Sequence, residues 1–188
     1  GEAPDLVIVS PPVVVVPHST ETFPEPEMAT GLTEDRYIKW IQVLPGESRV
    51  VHHALVYAVF GDAERADTGG GPRRVRELLA NRARGDFAGD YFEDGYARLL
   101  RKDDLIRLQI HYLPDDERTF TDRTRVGIKF YPKGYVPDYV VTTQPVSNRD
   151  LIIPPGDPNS RSDAYFPLRE PARIISFQPH MHYRGKGM

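Results

Sequence analysis

The sequence contains no cysteine. That excludes disulfides, cysteine-ligated zinc and thiol nucleophiles. It leaves the compartment open, because large extracytoplasmic proteins often manage without disulfides. No apolar run approaches the roughly 18 to 20 residues that cross a bilayer, so no membrane span is expected. Charge of one sign is lacking too: 24 lysines and arginines stand against 27 acidic residues, for a net charge of −3. Basic residues are dispersed among acids, and nothing points to a nucleic-acid partner or an anionic membrane surface. No signal-peptide pattern opens the chain, which suits a cytoplasmic protein or a mature form without its leader. No N-x-S/T glycosylation acceptor occurs, which favours a bacterial source. Helical periodicity is nearly absent.

Turn formers and strand formers are plentiful. There are 15 glycines and 18 prolines among abundant aliphatic and aromatic residues. Strands are expected over 6–9, 13–16, 36–44, 49–60, 104–113, 125–131, 139–143, 151–153, 164–168 and 172–177. The run "RVVHHALVYAVF" is the strongest, being almost wholly β-branched, aromatic or aliphatic. Residues 18–35 read as polar and turn-rich. The insertion "DTGGGPRRVRELLANRARG" reads either as a short helix bounded by Pro72 and Gly85 or as a solvated loop. Many short strands joined by turns predict an all-β chain built as an antiparallel β-sandwich or jelly roll.

The six histidines carry the chemistry on offer. His18 lies in a polar stretch and reads as a surface residue. His52 and His53 are neighbours in a strand, where successive side chains point to opposite faces. They can meet one ion only if the strand twists, bulges or ends there; otherwise one is core and one surface. His111, in "LQIHYL", shares a face with Gln109, as a solvent-facing pair would. His180 and His182 are spaced H-x-H, on one strand face and roughly 6.5 to 7 Å apart at the backbone. That separation lets two side chains converge on one ion. With no cysteine in the chain and no carboxylate in the cluster, imidazole ligands point to copper or zinc.

Four separated motifs, "TGLTEDRYIKWIQVLPGESRVVHHALVYAV", "LIRLQIHYLP", "NRDLIIPPGDPN" and "PHMHYRGKGM", together resemble the copper type II, ascorbate-dependent monooxygenases. That family includes the peptidylglycine α-hydroxylating and dopamine β-type enzymes, and the likeness is nearest to its bacterial branch. The resemblance implies two antiparallel β-sandwich domains with one copper each, here residues 1–137 and the beginning of a second sandwich over 138–188. It implies an electron-transfer copper on His52, His53 and His111, and an oxygen-binding copper on His180 and His182 with a methionine. It further implies hydroxylation of a C–H bond of a small-molecule substrate by O2, with ascorbate or another electron donor, and an extracytoplasmic (periplasmic or secreted) location.

This chain departs from the family pattern in two places. Gln178 stands where the peptidylglycine enzymes carry an arginine for the substrate carboxylate, which argues against a peptide C-terminus as substrate. The family's methionine ligand lies well downstream of the H-x-H, and Met188 does not match it. The second sandwich is therefore expected to be incomplete and the chain alone an inactive fragment. A non-catalytic β-sandwich that holds copper or zinc is the alternative reading.

Overall fold

The computed structural model describes residues 2–60, 76–83, 89–180 and 185–188. Strands, and no helices, make up its regular structure among those residues. In chain order they are β1 (Leu6–Val9), β2 (Val13–Val15), β3 (Glu27–Ala29), β4 (Arg36–Leu44), β5 (Val51–Val59), β6 (Arg76–Ala83), β7 (Asp90–Tyr91), β8 (Tyr96–Leu100), β9 (Leu105–Tyr112), β10 (Phe120–Asp122), β11 (Arg125–Phe130) and β12 (Tyr139–Val140). One sheet runs β1-β11-β4-β8-β12, with β7 also on β4; a second runs β3-β9-β5-β6; β2 and β10 form a separate ribbon. Every pairing is antiparallel except β12 on β8.

The two larger sheets form an antiparallel β-sandwich around one core. Ile38, Ile41, Val43, Val126 and Ile128 come from the first sheet, and Ala54, Val56, Ile106, Leu108 and Ile110 from the second. Alternation decides which way each strand faces. In β9, Ile106, Leu108 and Ile110 are fully buried, and each such side chain contributes roughly 1.5–3 kcal/mol by leaving water. A slip of one residue would turn all three outward. That burial holds the register, and Arg107, Gln109 and His111 fall on the opposite face.

The insertion is neither helix nor loop where it is described. Arg76–Ala83 is a strand paired antiparallel along β5, and residues 61–75, with the glycine-rich start, lie outside the described residues. Leu79 and Ala80 are both buried, so tertiary pairing overrides the helix-forming composition of "RELLANRA". Arg98 of β8 ties this strand to the first sheet: Nη1 donates to Glu77 Oε1 at 3.0 Å, Leu78 O at 2.7 Å and Thr143 Oγ1 at 2.9 Å. Burial is the largest influence on both charges, raising the Glu77 pKa and lowering that of Arg98, against their mutual attraction.

The described chain divides into two compact units, Gly1–Thr143 and Gln144–Met188. β12 belongs to the first because it pairs with β8. Among the described residues of the second unit no strand forms over 151–153, 164–168 or 172–177. Leu151, Ile152, Ile174 and Ile175 are exposed. Their apolar sequence suits strands, but a strand exists only where a neighbour completes its hydrogen bonds.

Candidate metal centre

The site is built on the pairing of β5 with β9. Val51 lies opposite Tyr112, and His53 opposite His111, so two steps along β5 match one step along β9. His52 is the extra residue of a β-bulge. Burial reports the same break in alternation: Val51 is buried and so is Ala54, with the two histidines between them. Both side chains leave on the outer face, where regular alternation would have sent them to opposite faces. The bulge that the adjacent pair requires for a shared ion is present.

His52, His53 and His111 converge as a result. One ring nitrogen from each lies within 4.8 Å of the other two. The ring centroids are 5.3 Å apart for His52–His53, 5.0 Å for His52–His111 and 4.9 Å for His53–His111, with interplanar angles of 65°, 72° and 69°. Nδ1 of His52 is 3.1 Å from Nδ1 of His53. Two nitrogens of the same kind at that distance form a hydrogen bond only if one carries its proton there; otherwise their lone pairs need a cation between them.

His111 is the most enclosed of the three, at 9% exposure. Its Nε2 meets Glu21 Oε2 at 2.8 Å, and Phe23 stacks on the ring at 4.3 Å between centroids and 17° between planes. Its Nδ1 is buried and has no hydrogen-bond partner. A buried, unpartnered imidazole nitrogen costs about 1–3 kcal/mol. Next to two further imidazole nitrogens, it fits a metal ion as its missing partner. Three neutral nitrogen donors suit copper or zinc, and no carboxylate among them selects a harder ion.

The end of β9 that carries His111 is anchored from below. Tyr112 is fully buried and its phenol donates to Asp122 Oδ2 at 2.7 Å. Thr124 Oγ1 donates to the same oxygen at 2.8 Å, and the Glu47 N–H to Oδ1 at 2.8 Å. Burial, with the Asp122 carboxylate beside it, pushes the Tyr112 phenol far above its ordinary pKa, so it remains a donor. Gly46 packs closely here: a Cβ would lie 3.0 Å from the Arg123 carbonyl and 3.2 Å from Asp122 Oδ1, tighter than ordinary contact.

Glu21 and Phe23 belong to a segment that reads as turn-rich in the sequence. It runs instead along the edge of β9. Tyr112 N–H donates to Thr22 O at 3.0 Å, Ile110 N–H to Pro24 O at 3.2 Å and Leu108 N–H to Pro26 O at 3.1 Å. Each proline forfeits the return bond, which confines such a segment to an edge. Side chains on its outer face meet those of β9: Glu27 and Glu25 pair with Arg107, and Gln109 donates to Glu25. The signal was the alternation of Glu21, Phe23, Glu25 and Glu27, obscured by the two prolines.

The other candidates fall elsewhere. His18 sits in a turn with left-handed backbone, φ 57°. His180 is exposed in the second unit, and His182 lies outside the described residues, as does Met181. Met188 and Gln178 are exposed. Compared with known proteins, the sequence matches no family model and no curated protein. The site so far defined is a three-imidazole cluster on the outer face of a β-sandwich.

Proposed function

We propose that this protein is a copper-dependent monooxygenase of the ascorbate-dependent kind, with His52, His53 and His111 as its electron-transfer copper site. In this reading His180 and His182 supply part of a separate oxygen-binding copper site, and the reaction hydroxylates a C–H bond of a small-molecule substrate with O2. The protein is bacterial and works outside the cytoplasm. The observation that carries the reading is the β5 bulge, which sets three imidazole nitrogens within 4.8 Å of one another. The four motifs in family order supply the link from a metal site to this reaction. Copper bound there would supply one-electron redox chemistry between Cu(II) and Cu(I). The three uncharged rings hold either oxidation state without adding charge of their own. The bulge and the paired register of β5 and β9 keep the rings in place as the ion's charge changes.

A second reading, a copper- or zinc-binding sandwich without turnover, is favoured by one fact. All three histidines belong to the first unit. Ascorbate-dependent oxygen uptake by protein with both copper sites loaded, measured against a panel of small C–H substrates, separates the two. The monooxygenase reading expects ascorbate to bleach the Cu(II) resonance and oxygen uptake to rise with substrate, both lost in His111→Ala. Copper that binds at the cluster without substrate-dependent uptake would favour the binding module.

A further inference from the structure

We infer that Glu21 is the positioning residue of this centre: its carboxylate accepts the Nε2–H of His111 and so presents the Nδ1 of His111 to the metal. The inference rests on the metal-site reading above. Its own basis is the division of labour on one ring. Nε2 of His111 lies 2.8 Å from Glu21 Oε2, a distance that suits a charge-assisted N–H···O bond. An ionised carboxylate can only accept, so the ring proton sits on Nε2. Nδ1 then carries the lone pair, and Nδ1 is the buried nitrogen without a partner. Phe23, from the same edge segment, covers one ring face at 4.3 Å. The ring is gripped on its edge by Glu21 and on its face by Phe23, which leaves little freedom for it to flip. A carboxylate behind a ligating histidine fixes both its tautomer and its orientation and raises its basicity as a donor. Glu21 comes from a segment remote in sequence from β5 and β9, and its side chain is 55% exposed, so its replacement does not disturb the core.

Two measurements test this. Long-range nitrogen–proton NMR of the metal-free chain at about pH 8, above the ordinary histidine pKa, reads the ring proton directly. The expected result is a His111 Nε2–H; an Nδ1–H would overturn the inference. Copper(II) titration then compares wild type with Glu21→Ala, Glu21→Gln and Glu25→Ala. Glu21→Ala should weaken binding roughly 10- to 100-fold, the usual cost of losing an outer partner. Glu21→Gln keeps an acceptor oxygen and should stay within a few-fold of wild type, and Glu25→Ala, whose carboxylate meets Arg107 and Gln109, should match wild type. An unchanged affinity in Glu21→Ala, or an equal loss in Glu21→Gln or Glu25→Ala, would overturn the orienting role. If the wild-type chain bound no copper, the metal-site reading would fail and this inference with it; copper binding that Glu21→Ala leaves intact sinks the inference alone.

Discussion

At the residue scale, the centre depends on a few side chains whose alternatives are costly. Tyr112 shows this below the site. Its phenol, the Thr124 hydroxyl and the Glu47 amide together satisfy Asp122, which is fully buried. Tyr112→Phe keeps the ring volume and removes one of the three donors. The expected cost is about 1–3 kcal/mol, because a buried charged acceptor is left under-satisfied. Thermal denaturation should show a midpoint several degrees lower. A variant as stable as wild type would mean that the Tyr112–Asp122 bond contributes nothing net. Individual histidines were legible as candidates from residue type and spacing. Their partners were not. Nothing local to "QIHY" names Glu21 or Phe23, which reach His111 from a distant segment.

At the scale of elements, the strands of the first unit followed from composition and alternation. β4, β5, β9 and β11 stand close to where their apolar runs place them. β6 did not, since its sequence reads as a short helix or a loop and the open edge of β5 makes it a strand. The expected strands in residues 144–188 failed for the converse reason: apolar sequence was present and pairing was not. The bulge lies between these cases. Adjacent histidines in a strand posed the question of a bulge, and the pairing of Val51 with Tyr112 and of His53 with His111 answers it. Deleting His52 removes the extra residue and lets β5 and β9 pair without interruption, with His53 alone facing His111. The sheet should persist by circular dichroism, while copper affinity falls by at least about 100-fold, beyond the loss of an outer partner. A deletion variant that bound copper as tightly as wild type would show that the bulge is incidental to the site.

At the scale of the whole molecule, the sandwich serves as a rigid base for a cluster on its outer face. The core residues of β9 and β5 fix register, register fixes the bulge, and the bulge sets the three imidazoles. A metal that binds only the folded state stabilises it by about 2.7 kcal/mol at a hundredfold excess over its dissociation constant, so loading should also raise the melting midpoint. The central claim is that His52, His53 and His111 hold one copper ion. Copper(II) titration followed by electron paramagnetic resonance, on wild type and on His52→Ala, His53→Ala and His111→Ala, tests it most directly. One tightly bound equivalent, with nitrogen hyperfine structure, is expected in wild type and lost in each of the three variants. An unchanged copper stoichiometry and spectrum in His111→Ala would contradict it.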